Sequence, residues 1–183
     1  MNTDTITITE IAEWYATAPT ADIISQSSWV HLAAYVTERL ALHLCAGLQI
    51  IPTADPEPYA TAADQGLDIA TNLRLLVSTA YCDHPIWPAH VNVAYRVWHD
   101  VEGHGPGAYA LPFTVDGELR AWERSAPDLP AAALPAAFTE TVGQLAYAAV
   151  TGDFGEQRAV LPPARYLTAT IVDDRPQSAT VTS

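Results

Sequence analysis

Two histidines and two carboxylates fall within six residues of this chain, in His99-Asp100-Val101-Glu102-Gly103-His104. Imidazoles and carboxylates hold first-row divalent metals, and two imidazoles with an adjacent carboxylate on one helix end form a partial coordination sphere. On a helix, Asp100 and His104 stand four residues apart and share a face. His99 and His104 stand five apart, and an ideal α-helix separates such residues by ~140°. Gly103, just before His104, can end or distort the helix and let that imidazole swing back toward His99. The segment cannot close a site unaided, so a third protein ligand has to come from elsewhere.

Glu140 is the first candidate for that ligand. It lies on an otherwise apolar helix with Phe138, Val142, Leu145, Ala148 and Ala149, and a buried carboxylate there needs a partner such as a bound cation. Gln144, four residues on, shares its face. Arg96, one turn before His99, is an alternative partner for Glu140 or Asp100 and a candidate catalytic residue. Asp100 is placed as a ligand-orienting group or proton acceptor, and Asp100 or Glu102 as a general base. Trp98, Phe113 and Trp122 are candidate pocket walls. Glu118 and Glu123, flanking Trp122, read as a solvated helix face, with Glu118 kept as another carboxylate able to complete the site. His31, His43, His84 and His90 read as surface or satisfied core histidines. Phosphate-binding loops, nucleophile elbows and the H-E-x-x-H zinc motif are absent, since the second histidine falls one residue too late for the last.

The elements that must position these residues read as helices. Residues 3–9 alternate threonine with Ile6 and Ile8, a short strand-like opening. A first helix follows, capped by Thr9 and ending before Pro19. Ser27 or Ser28 caps a second helix through about Leu48, with Leu32, Tyr35, Val36, Leu40, Leu44 and Leu48 near the helical period. After a proline- and acid-rich loop (52–58), a third helix is expected over 62–78, with Leu67, Ile69, Leu73, Leu76 and Val77 facing inward. A fourth, from Ala89 to about Gly103, carries the motif. A short helix over 118–124 and a last long one from Pro135 to about Val150 complete the set, with strand signal again at 166–172. The expected fold is therefore mainly α: one helical bundle-like domain over 1–172 and a flexible tail over 173–183.

Two resemblances bear on the motif. Tyr95-Arg96-Val97-Trp98-His99-Asp100-Val101-Glu102-Gly103-His104, then Gly117-Glu118-Leu119-Arg120-Ala121-Trp122, then Thr139-Glu140-Thr141-Val142-Gly143-Gln144 resemble an uncharacterised family of phage and bacterial proteins. That family carries a "FRAVHDxFGH" core, a "GE…AW" segment and a "TETRGQ" helix. The similarity spans about 92–163, with Val142 in place of an arginine and no histidine after Trp122, and it implies no activity. The motif is also similar to the iron site of the aromatic amino acid hydroxylases, H-E-L-L-G-H-x-P, at His99, Gly103, His104 and Pro106, with Asp100 for glutamate. Phe138-Thr139-Glu140-Thr141-Val142-Gly143 is similar to that family's "FTVEFG" helix. Residue by residue, this resemblance implies His99, His104 and Glu140 as iron ligands, with open positions for O2 and substrate. HD-type phosphohydrolases are a third comparison, with His99-Asp100 as the pair, His31 or His43 upstream and Asp128 or Asp153 downstream.

The leading expectation is thus a metal-dependent enzyme, an Fe(II) oxygenase or hydroxylase acting on a small molecule. A hydrolase using zinc or manganese comes second, and an acidic phage-type accessory protein with a structural metal third. Eight Lys+Arg against 21 Asp+Glu give a net charge of −13, and every basic residue is an arginine. Such a field repels phosphate backbones and anionic membranes, so neither nucleic acid nor membrane is expected as a partner. No apolar run reaches the ~18 residues of a membrane span, and residues 1–4 lack a basic, then apolar, signal pattern, which makes the expected location cytoplasmic. Cys45 and Cys82 form no CxxC pair and read as free thiols. A composition 49% hydrophobic supports a core at this length and would accommodate a homodimer interface.

Overall fold

The computed structural model describes residues 4–19, 23–80 and 82–176, and these form a mainly helical fold. Strand β1 (Thr5–Thr7) runs directly into α1 (Ile8–Thr17). The cap is Thr7, whose hydroxyl accepts the Glu10 N–H, rather than Thr9, because Ile8 and Ile11 both belong to the buried face of the helix. Helix α2 (Ile23–Cys45) starts ahead of the expected serine cap. The Ser28 hydroxyl instead accepts the Ala136 N–H from a distant helix, a long-range use that local capping rules do not see. Trp29, Leu32 and Val36 make the buried stripe of α2, while Leu44 is exposed.

The expected third helix divides. Helix α3 (Ala62–Asn72) ends where Leu73 takes a left-handed conformation at φ 48°, and β3 (Arg74–Ser78) follows. β3 pairs in parallel with β2 (Gln49–Thr53), from Gln49↔Arg74 to Thr53↔Ser78, so this stretch is a β-α-β unit. Leu75 and Val77 are buried in period two, whereas Leu67 and Leu73, expected inside, are about half exposed. A short apolar run fits helix or strand equally well, and here β pairing decides.

Helix α4 (Ala89–Trp98) continues into a π-helical segment (His99–His104). Helix α5 (Val115–Ser125) is capped by Thr114 and begins earlier than expected. The last long helix is composite: α6 (Leu134–Phe138), a second π-helical segment (Thr139–Gly143) and α7 (Gln144–Thr151). α2 packs on α4 and α6, and α1 on α7. Trp29, Trp98 and Phe138 are fully buried in the core between them. Strand β4 (Thr170–Val172) returns to pair in parallel with β1. Beyond it the expected flexible tail is anchored as far as it is described: Asp174 accepts the Thr9 N–H, and Arg175 donates to the Ala149 carbonyl. Residues 177–183 lie outside the described residues. No helix is long and apolar enough to cross a membrane among the described residues.

Candidate metal centre

The π-helical winding of 99–104 brings the two histidines together. The Gly105 N–H reaches the Asp100 carbonyl, five residues back, at 3.2 Å. With bonds spanning five residues instead of four, residues five apart come close to one face. His99 Nε2 and His104 Nε2 therefore stand 3.1 Å apart, where α winding would have separated them. At Gly103 α5 lies close against the segment: a Cβ there would sit in van der Waals contact, 3.4 Å from both Ala121 Cβ and His99 Nδ1.

That approach delivers the third group, Glu118 on α5. Its Oε2 lies 3.0 Å from His99 Nε2 and its Oε1 3.2 Å from His104 Nε2. His99, His104 and Glu118 form a group that could hold a metal ion, with one ligand atom from each within 4.8 Å of the others. Two ligand atoms bound at ~2.1 Å stand ~3.0 Å apart when at right angles and ~3.4 Å apart at the tetrahedral angle. The two imidazole nitrogens, 3.1 Å apart, fit adjacent positions on one cation, and the carboxylate presents one oxygen to each of them.

The hydrogen-bond roles agree. His104 Nδ1–H donates to the Leu111 carbonyl at 2.7 Å, and the Leu111 N–H returns a bond to the His104 carbonyl at 3.0 Å. With its hydrogen on Nδ1, the ring turns the Nε2 lone pair toward His99 and Glu118, the tautomer a metal ligand needs. His99 lies parallel to Tyr95, with ring centroids 6.2 Å apart, and its Nδ1 finds no hydrogen-bond partner among the described residues. Two imidazole nitrogens and a carboxylate thus meet with an excess of acceptors, which a proton or a cation must balance.

The charges reflect this. Burial opposes ionisation of Glu118, but hydrogen bonds and charge from His104 and His99 outweigh it and bring its pKa down to about 2. Burial likewise opposes the charged form of His104, yet Glu118, the Leu111 carbonyl and Asp100 together raise its pKa. Burial lifts the pKa of Asp100 against the pull of His99 and His104.

Of the residues singled out in the sequence, His99 and His104 meet in the centre, and Asp100 lies close enough to feel both charges. Glu140 takes another partner: its Oε1 accepts from His84 Nε2 at 3.0 Å, and both side chains are buried. The second π-helical segment, buried throughout, turns Glu140 toward His84. Glu102 is directed to α2, accepting from Arg39 Nε at 2.7 Å and bonding His43 Nε2 at 2.8 Å, so it ties helices together instead of facing the centre. Arg96 donates to the Ser78 carbonyl and to Asn92, linking α4 to the end of β3, and its charge reaches Asp100 and Glu140. Trp98 and Trp122 belong to the core, while Phe113 packs edge-on to His104 at 5.0 Å.

Glu118 does not lie on the solvated helix face expected for it. It shares the buried face of α5 with Ala121, Trp122 and Ser125, at spacings of three, four and seven, whereas Asp116 and Glu123 are exposed. A carboxylate on the apolar face of an otherwise polar helix was the signal. Compared with protein-family models, curated proteins and solved structures, the chain matches none, and the geometry of His99, His104 and Glu118 carries the functional reading alone.

Proposed function

We propose that this protein is a metal-dependent enzyme in which His99, His104 and Glu118 hold Fe(II), and that it oxidises a small molecule with O2. The supporting observation is the convergence of two imidazole Nε2 atoms, 3.1 Å apart, on one carboxylate that meets His99 through Oε2 at 3.0 Å and His104 through Oε1 at 3.2 Å. Two histidines and one carboxylate, with further positions open, suit non-haem iron. Bound iron would supply the activation of O2. The chain's own groups do the rest: Leu111 fixes the tautomer of His104, Tyr95 orients His99, and Phe113 covers the His104 ring. Burial raises the pKa of Asp100, which feels the charge of both imidazoles.

A second reading, a zinc or manganese hydrolase, draws support from solvent access. The side chains of His99 and Glu118 are 16% and 21% exposed, so water can reach the centre. A bound cation would lower that water's pKa to ~7. Protein purified without chelator, analysed for metal and reconstituted anaerobically, separates these readings. Near-stoichiometric iron and substrate-dependent O2 consumption are the expected result. Zinc or manganese with O2-independent turnover supports the hydrolase, and failure to bind any of the three metals overturns both.

A further inference from the structure

We propose that Arg124 is a positioning residue of this centre: its guanidinium holds the π winding that keeps His104 against His99. This rests on the metal-centre reading and adds to it the group that maintains the ligand geometry.

The π-helical form is rare, and the same six residues wound as an α-helix would place His99 and His104 ~140° apart. Something must therefore favour the wider winding. At its C-terminal end the carbonyls of Gly103 and His104 project from two buried residues and need donors. Arg124 Nη1 supplies both, at 3.2 Å to the Gly103 oxygen and 2.8 Å to the His104 oxygen. The His104 oxygen also accepts the Leu111 N–H, so ring and carbonyl of this one ligand are both fixed.

Gly105 shows how closely the guanidinium is seated. It has φ 86°, and a Cβ at this position would lie 2.3 Å from Arg124 Nη1. Both glycines flanking His104 face the same helix, Gly103 in contact with Ala121 and Gly105 leaving room for Arg124. Glu118, Ala121 and Arg124 follow one another at intervals of three along α5. A single rigid helix delivers the third ligand, the flat contact surface and the clamp, so placing α5 sets the ligand and the winding together.

Arg124→Met keeps the aliphatic stem and removes the donors, and Arg124→Lys restores one donor group. Co(II) is the probe, because its visible absorption reports coordination geometry, with affinity taken from chelator competition and backbone amide exchange measured on the metal-free proteins. Arg124→Met should bind Co(II) roughly 10–100-fold more weakly, the usual cost of removing a ligand-orienting group. Its absorption should change, amide exchange should accelerate over 100–105 and not over α4, and Arg124→Lys should recover part of the affinity. Wild-type affinity within about twofold and an unchanged spectrum in Arg124→Met would overturn the proposal, and so would exchange accelerated equally across α4. If the wild-type protein binds no Co(II), the metal reading fails separately. Accelerated exchange confined to 100–105 in Arg124→Met then still upholds the clamp, and unchanged exchange there removes it.

Discussion

Glu118 and Glu140 each face an imidazole, and the hydrogen on that imidazole gives the two carboxylates different chemistry. His84 Nδ1 accepts the N–H groups of Ile86 and Trp87, at 3.1 and 2.9 Å, so its hydrogen lies on Nε2 and donates to Glu140. One donor meets one acceptor, and the pair is complete. His104 is the reverse: Nδ1–H is spent on the Leu111 carbonyl, so Nε2 faces another imidazole and Glu118 as a bare acceptor in the neutral ring and donates to Glu118 only when the ring is protonated. That group stays open to a cation. Glu118→Ala is therefore expected to weaken metal binding by more than the roughly 10–100-fold typical of outer partners. Glu140→Ala should leave metal stoichiometry intact and lower stability by about 1–3 kcal/mol, because the buried His84 N–H loses its acceptor. Metal titration and urea unfolding of both variants check this, and the reversed pattern of metal loss would reassign the third ligand. In the sequence the two histidines were legible because they lie within one short segment. The choice between two glutamates was legible only in part: the apolar face of α5 points to Glu118, but the tautomers that decide it are set by backbone groups at Leu111, Ile86 and Trp87.

At the scale of elements, both segments that carry buried glutamate or histidine chemistry are π-wound, and each lies between or beside ordinary helix. Sequence periodicity placed helices over 89–103 and 135–150 but carried no sign of the wider winding, because it depends on what packs across the segment. β3 escaped for a related reason: Leu75 and Val77 become an inward-facing strand only once β2 lies beside them. The loop between His104 and α5 is held in the same contextual way. A Cβ on Gly117 would meet the Pro112 carbonyl oxygen at 1.9 Å, so the loop folds back over the bare start of α5, one residue before Glu118. Gly117→Ala must push the loop and the helix apart. It should cost about 3 kcal/mol, or on the order of 6–12 °C in Tm for a domain of this size, and weaken metal binding by shifting Glu118. Calorimetry and metal titration of the variant test this, and an unchanged Tm would show that the close backbone approach is absent.

Over the whole molecule, 21 acidic residues face eight arginines, and several arginines are engaged internally. Arg39 pairs with Glu102 and Arg74 with Asp68, while Arg158 donates to the carbonyls of Tyr15 and Ala18. The field left outside is negative, which concentrates divalent cations near the protein. Within this field, a metal bound at the centre would compete with a proton for one place. Glu118, with its pKa lowered to about 2, contributes stability above the ordinary carboxylate value of ~4.5 and loses it as pH falls toward about 2. His104, with its pKa raised, contributes fully below ~6.5 and loses that contribution as pH rises through the raised value. The metal-free protein should therefore be most stable between about pH 4.5 and 6.5 with respect to this centre. A bound cation replaces the proton that balances the acceptors, so the decline on the alkaline side should vanish once metal is present. Thermal unfolding from pH 4 to 9, with chelator and with saturating Co(II), measures both curves. The Tm increment from metal should grow as pH rises past that of free histidine. An increment independent of pH, over a flat metal-free curve, would mean that no proton is displaced and that the cation binds elsewhere on the acidic surface.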